Sequence, residues 1–342
     1  MAGWICLPAA ARRPFHHSLF TTHQTVMPNQ REIKGRIKAV GNIQRITKTM
    51  QMIATARFQS MQKKATDAQA YTRKVREVVG ELSASLGEDA SASHPLLSPP
   101  SPEAGREKLL VLTSDRGLCG AYNANVVRLA LQHIREVGRD HLDIDVVGKK
   151  GLSVLRFNGV HADTHHTRFG DNPAFADVHA LAQQYMDAFV AGEFDAVRVC
   201  YMAFRSMSKQ EPELMQLLPL RAEGSSDPAN EPSKASGGGS GADAHAGSQD
   251  PSPSPHPTRY DFSPDPQTLL NELLPISVKQ ALYQAFNEAV VSEQLARMVA
   301  MKSATDAAGK QRQSLKRQFN RVRQAAITTE ISEIVSGAAA LE

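Results

Sequence analysis

The sequence predicts an α/β protein with long helices. The N- and C-terminal helices form an antiparallel coiled coil, and the segment between them forms a small Rossmann-like α/β domain. Two apolar stripes, one near each end of the 342-residue chain, recur at steps of three and four residues, the spacing of a long helical seam. Between them, short apolar runs alternate with helical stretches, as in a mainly parallel sheet. Six parts are therefore expected: a disordered leader or misassigned start at 1–26, an N-terminal coiled-coil helix at 27–87, a linker at 88–107, the α/β domain at 108–220, a disordered Gly/Ser/Pro-rich insertion at 221–262, and a C-terminal coiled-coil helix at 263–342.

The overall composition excludes several classes of protein. No run approaches the roughly 18 apolar residues that a membrane span needs, so any link to a membrane must run through a partner. Cys6, Cys119 and Cys200 lie far apart and form no CxxC pair, which argues against a disulfide framework or a zinc site and fits a reducing compartment. We expect no bound metal and no cofactor.

The first 26 residues allow two interpretations. They contain Arg12 and Arg13, one serine, three threonines, and no acidic residue, a composition typical of an organelle transit peptide. Alternatively, translation begins at Met27 and the leader is a misassigned start. The second interpretation is favoured because Met27 runs directly into a helical pattern, as a natural N-terminus would.

The N-terminal stripe predicts one long helix. No proline interrupts residues 29–94, and a helix of about 50 residues would be about 75 Å long at 1.5 Å per residue. A helix of that length cannot bury its stripe against a compact domain, so it needs a partner helix of similar length. The stripe comprises Ile33, Ile37, Val40, Ile43, Ile46, Met50, Ile53, Met61, Ala65, Ala68, Tyr71, Val75, Val78 and Leu82.

The C-terminal stripe supplies that partner. After Pro275 no further proline occurs, and apolar residues recur from Leu282 to Leu341. This predicts a helix of about 65 residues, whereas helices of globular domains average about 11 to 12. The length favours a coiled coil over two separate core helices.

The middle of the chain predicts alternating strands and helices. Short apolar runs bounded by turn residues indicate strands, and longer amphipathic stretches indicate helices. Strands are expected at 108–113, 142–147, 196–204 and 213–220, and helices at 122–137, 151–157 and 175–190.

A glycine-containing turn follows the first predicted strand. The segment SDRGLCGAYN at 114–123 stands where a phosphate-binding loop would lie, but it matches neither GxGxxG nor GxxxxGK[ST]. Its glycines are better explained as turn residues. Cys119 has no neighbouring histidine, so a packed, unreactive thiol is expected. An enzyme built on this domain would need a polar pocket at the strand ends, and the sequence supplies none.

Both end helices are strongly basic. Residues 31–64 hold nine Lys or Arg against Glu32, and residues 297–323 hold eight against Asp306. This predicts an acidic partner, either a nucleic acid or an acidic protein surface. The nucleic-acid alternative lacks interleaved aromatic residues and a known binding module.

Three blocks of the chain resemble the gamma subunit of F-type ATP synthase. They are QRITKTM and IATAR within 33–57, SDRGLCGAYN at 114–123, and a C-terminal series that includes ARM at 296–298, ATD at 304–306, ITTE at 327–330 and EIVSGA at 333–338. The resemblance covers nearly all of 27–342. The chain departs from the family in its long 221–258 insertion and at Ala307-Ala308, where the family often has Asn-Ala or Asn-Gly.

The resemblance implies a central-stalk rotor that performs no bond chemistry itself. The coiled coil would turn inside a hexamer of alternating alpha and beta subunits and rest on the epsilon subunit and the membrane c-ring. It would couple proton flow to ATP synthesis and regulate both ATPase activity and proton flow. No nucleic acid is expected as a partner. By resemblance, Met50, Arg297, Gln324 and Thr328 match positions of rotor–stator contact.

The resemblance also implies a membrane location. We expect a peripheral protein on the cytoplasmic side of a bacterial inner membrane. If residues 1–26 are a transit peptide, the matrix side of the mitochondrial inner membrane is expected instead.

Overall fold

The computed structural model describes residues 30–86, 94–97, 105–220 and 266–339. The predictions for the 1–26 leader and the 221–262 insertion therefore lie outside the described residues, as does most of the 88–107 linker. The helices are α1 (Gln30–Leu86), α2 (Tyr122–Val137), α3 (Lys149–Phe157), α4 (Phe175–Val190) and α5 (Pro266–Ala339), and the strands are β1 (Glu107–Leu112), β2 (Leu142–Val147), β3 (Thr164–His166), β4 (Ala196–Phe204) and β5 (Gln210–Leu218).

The chain divides into two compact units. The first comprises Met1–Asn42 and Gly309–Glu342, and the second comprises Ile43–Ala308. The long helices α1 and α5 each contribute to both units, whereas the sheet lies wholly in the second. Among the described residues, no helix combines the length and apolar character that a membrane span requires.

The sheet has five strands in the order β3-β2-β1-β4-β5. β1 pairs in parallel with β2 and β4, β2 pairs in parallel with β3, and β4 pairs antiparallel with β5. The predicted, mainly parallel α/β sheet is therefore confirmed. β3 was not predicted, because three residues are too few to show a period.

Helices cover both faces of the sheet, and the alternation of side chains along β1 builds two cores. Leu110 and Leu112 point to the face covered by α4 and by the first part of α5, where Phe189 and Phe286 are buried. Leu109 and Val111 point to the opposite face, covered by α2 and α3. Because both faces are covered, the central strands β1 and β4 contain buried apolar runs, Leu109–Leu112 and Val199–Ala203, which made them recognisable in the sequence.

In the second unit, α1 and α5 pack antiparallel. Phe58 and Ala65 of α1 form a buried cluster with Val291 and Leu295 of α5. Nearer the N-terminus of α1 and the C-terminus of α5, the Thr305 hydroxyl donates a hydrogen bond to Thr47 Oγ1 at 2.8 Å. The antiparallel direction predicted for the two helices is therefore observed.

The seam of α1 is displaced by one residue from the predicted stripe. The stripe predicts that Ile43, Ile46, Met50 and Ile53 face a partner helix, but the structure exposes them by 52%, 59%, 41% and 45%. We call these four residues the outer stripe. The prediction that they face the partner helix is wrong.

Polar and small residues occupy the seam instead. Gln44, Thr47 and Gln51 are half-buried and Ala54 is fully buried, at steps of three, four and three residues. The same offset recurs where Thr72 is buried and Tyr71 is exposed. Val40, Ile43 and Ile46 follow one another at steps of three residues, whereas the residues of a coiled-coil seam follow at steps that average 3.5. The shorter steps turn the apolar stripe away from the seam. The seam itself is formed by small residues and by the pair of Thr47 and Thr305.

Candidate functional site

The structure describes all four residues that resemblance marks as contact positions. Met50 and Arg297 belong to the second unit, and Gln324 and Thr328 belong to the first. Each pair is therefore considered within its own unit.

Met50 lies in the outer stripe of α1. Its side chain is 41% exposed, and Ile46 and Ile53 one turn away on either side are exposed as well. Arg45 and Lys48, five and two residues before Met50, are also exposed but lie on other faces of α1. An exposed apolar strip is typical of a surface that becomes covered by another protein.

Arg297 is buried rather than presented on the surface. Its Nη2 donates to Glu293 Oε1 at 2.6 Å and to the Arg116 carbonyl at 3.4 Å. Burial raises the pKa of the Glu293 carboxyl, and the positive charge of Arg297 offsets part of that rise. Arg297 therefore ties α5 to the turn that follows β1.

The turn at 114–121 is held by a compact set of hydrogen bonds. The Asn123 amide donates to Ser114 Oγ at 2.8 Å and to Cys119 Sγ at 3.2 Å, and the Ser114 hydroxyl donates to the Arg116 carbonyl at 2.7 Å. Gly120 has a positive φ of 58° and faces Ala300 of α5. Cys119 is buried, as predicted. These contacts make the turn a joint between the sheet and α5, and the glycine provides the positive φ that the turn needs.

Part of the positive charge of α1 is used within the chain. Arg57 pairs with Asp171, and Lys64 donates to Asn172 Oδ1 at 3.2 Å. Arg116 also lies 3.5 Å from Asp171 Oδ2. Sequence reasoning assigned the basic residues of α1 to an external partner and missed this use, because the carboxylate lies more than a hundred residues away.

Gln324 and Thr328 lie one turn apart on an exposed part of α5 in the first unit. The Thr328 hydroxyl donates to the Gln324 carbonyl at 2.9 Å, so it is satisfied within the helix. Ile331 and Val335 continue the same face at steps of three and four residues and are 56% and 62% exposed. The structure therefore presents Gln324 and Thr328 on a mixed polar and apolar face.

Two cavities in the described part lie away from the place where an α/β enzyme binds its substrate. A cavity of about 530 Å³ opens beside Arg106 and Leu142, where β1 and β2 begin. Another, of about 490 Å³, lies between α4 and Pro275. Ligands of α/β folds bind at the opposite edge, outside the carboxyl ends of the strands. In the same residues, no three His, Cys, Asp or Glu side chains converge as metal ligands would.

Known proteins are similar to this chain in sequence. A family profile described as ATP synthase matches residues 29–341. The ATP synthase gamma chain of Rhodopirellula baltica is 38% identical over 319 residues, covering 92% of this chain and 100% of its own. The ATP synthase gamma chain of Heliobacterium modesticaldum is 37% identical over 315 residues, with the same two coverages.

A solved structure has the same fold at low sequence identity. A chain of the Euglena gracilis mitochondrial ATP synthase, in a structure of OSCP, F1 and c-ring, superposes with a TM-score of 0.57 and 17% identity. The match covers 91% of this chain and 94% of that one. At this identity the likeness concerns the fold.

Proposed function

Because this chain belongs to the ATP synthase gamma chain family, we propose that it is the central-stalk rotor of an F-type ATP synthase. It turns inside a hexamer of alternating alpha and beta subunits and rests on the epsilon subunit and the membrane c-ring. It binds no cofactor and performs no bond chemistry. Proton flow through the membrane sector turns the ring, and the helices α1 and α5 carry that rotation to the catalytic subunits, where it drives ATP synthesis.

The observation that carries this proposal is the exposure of the outer stripe. The seam of α1 is satisfied by α5, yet four large apolar side chains remain open to water on another face. Burying one such side chain contributes about 1.5 to 3 kcal/mol, so the stripe favours a surrounding protein surface. As the rotor turns, the stripe would meet the catalytic subunits in sequence, which makes the contact depend on angle.

The other candidate positions take different roles in this proposal. Gln324 and Thr328 contact the hexamer directly, since both are exposed. Arg297 acts indirectly, by fixing α5 against the turn at 114–121. Basic residues beside these surfaces attract acidic loops of the beta subunits and favour encounter at particular angles over permanent bonding.

The location follows from the assembly. The protein is peripheral, attached through the c-ring to the cytoplasmic face of a bacterial inner membrane. If residues 1–26 act as a transit peptide, the corresponding place is the matrix face of the mitochondrial inner membrane. In either place the subunit regulates ATPase activity and proton flow by coupling the two.

Co-purification tests the assembly. A rotor subunit copurifies from membranes with the alpha, beta and epsilon subunits, in the proportion of one shaft per hexamer. A basic coiled-coil scaffold would instead bind DNA in a salt-dependent way without these subunits. That second result would contradict the proposal.

Substitution in the outer stripe tests the coupling. Met50→Lys adds a positive charge where an apolar contact is expected, so we expect fewer protons pumped per ATP hydrolysed in membrane vesicles. Met52→Lys is the matched control, because Met52 is also exposed but lies about 200° away around the helix. Unchanged pumping per ATP in the Met50→Lys vesicles would count against the outer stripe as a rotor contact.

A further inference from the structure

One face of α3 combines an exposed aromatic ring with positive charge. Lys150, Val154 and Phe157 are separated by four and three residues and therefore share one side of the helix. The ring of Phe157 is 90% exposed and Val154 is 36% exposed. The helix also carries Lys149 and Arg156, and it contains no acidic residue.

The opposite side of α3 is fixed to the end of β1. Leu155 is fully buried, and a Cβ added to Gly151 would collide with the Thr113 side chain. The Gly151 amide donates to Thr113 Oγ1 at 3.1 Å, and the Lys150 amide donates to the Ser114 carbonyl at 3.1 Å. The exposed face is therefore presented in a fixed orientation, which lowers the entropy cost of binding a partner.

The positive charge of this face is not neutralised within the described chain. No ion pair in residues 30–86, 94–97, 105–220 or 266–339 includes Lys149, Lys150 or Arg156. Asp115 is the carboxylate that touches this helix, and it accepts from the Lys149 backbone amide at 3.1 Å. The three cations therefore remain available to a partner.

We propose that this face of α3 is a docking surface for another protein, whose matching patch is an apolar pocket bordered by carboxylates. Phe157 is the anchor that enters the pocket, and the three cations meet the carboxylate border. Aromatic anchors surrounded by polar contacts dominate the free energy of such interfaces. A lipid surface fits less well, because two apolar side chains on a nine-residue helix bury too little area to hold it on a membrane. The proposal goes beyond the proposed function, which assigns no contact to this face.

Photo-crosslinking in cells tests the proposal. The full chain is expressed in place of the native one with p-benzoylphenylalanine at position 157, and the adducts are identified by mass spectrometry. The control carries the same group at Val190, which is 57% exposed at the end of α4 beside Asp187. We expect position 157 to form an adduct with one protein, at a peptide containing Asp or Glu, at least about ten-fold above the control, as for an anchor residue.

A second reporter separates docking from chance proximity. With the crosslinker at the exposed position Ser153, Phe157→Ala and the pair Lys149→Glu with Lys150→Glu should each lower the adduct yield about ten-fold. Both changes lie on exposed side chains, so the fold is retained. Adducts with lipid alone, adducts at a peptide without carboxylates, or a yield no higher than at Val190 would each overturn the proposal. Copurification with alpha and beta subunits is measured separately, so failure of this face is distinct from failure of the rotor assignment.

Discussion

The buried pair of Arg297 and Glu293 shows how one residue can matter to a contact without making it. Their side chains are only 9% and 7% exposed, and the arginine also reaches the Arg116 carbonyl. Removing one partner of a buried ion pair leaves an uncompensated charge, whereas removing both is much less costly. The pair therefore stabilises the joint between α5 and the turn at 114–121.

Substitution of Arg297 should destabilise the isolated protein. We expect Arg297→Ala to lower the free energy of unfolding by about 3 to 5 kcal/mol, since Glu293 stays buried without its cation. The double change Arg297→Ala with Glu293→Gln should recover most of that loss. Urea denaturation followed by circular dichroism measures both. Equal losses in the single and double variants would show that the charge of Glu293 is not the cause.

The same variant should show a defined pH dependence. Burial already raises the pKa of Glu293, and loss of the arginine raises that pKa further. A carboxyl whose pKa is higher in the folded than in the unfolded state binds a proton on folding between the two pKa values. The stability of Arg297→Ala should therefore fall as pH rises through that window, and more steeply than that of the parent chain. Melting temperatures across acidic to neutral pH measure this difference.

At the scale of elements, α1 carries two neighbouring stripes with separate uses. The seam that faces α5 contains Gln44, Thr47 and Gln51, and the outer stripe contains larger apolar residues. A polar residue in a seam costs stability but can fix the register of two helices. The hydrogen bond between Thr47 and Thr305 supports this interpretation.

A pair of substitutions tests which stripe is the seam. Gln51→Leu should raise the free energy of unfolding of the isolated chain by about 1 kcal/mol, because it adds buried apolar area. Ile53→Gln should change it by less than about 0.5 kcal/mol, as for an ordinary surface position. Chemical denaturation measures the free energy of unfolding of both variants. The reverse order of effects would place Ile53 in the seam.

The strands were predictable and the seam was not, for a physical reason. β2 has apolar residues at alternate positions and β4 is almost entirely apolar, and their predicted bounds, 142–147 and 196–204, match the structure. Along α1, an apolar residue marks a covered face without telling whether its own chain or another protein covers it. The burial of Arg297 was not predictable for a related reason, since a sequence does not show that a distant turn packs against this part of α5.

Over the whole molecule, positive charge serves two purposes. Arg57, Arg116 and Arg297 pair with carboxylates inside the chain. Much of the remaining charge lies on exposed surfaces of α1 and α5. A net charge of only +4 conceals this division, because acidic residues elsewhere balance the basic helices. Partner recognition should therefore depend on local surfaces more than on total charge.

Two adjacent threonines should differ in their contact with the surrounding hexamer. Thr328 and Thr329 are both exposed, and each hydroxyl bonds to a carbonyl one turn earlier in α5. Thr328→Ala should reduce ATP-driven proton pumping in vesicles, because it removes a proposed contact on the face shared with Gln324, while Thr329→Ala should not. Both should leave the melting temperature of the isolated chain within about 2 °C. Equal effects on pumping would remove Thr328 from the proposed contact face.

The outer stripe should also affect how the subunit behaves before it is assembled. Four neighbouring apolar side chains that the proposed assembly would cover are open while the subunit is alone. Unassembled copies should therefore be prone to self-association and recognisable to chaperones and proteases. The surface expected to transmit torque would then also limit how long an orphan subunit survives, so that its abundance follows that of its partners.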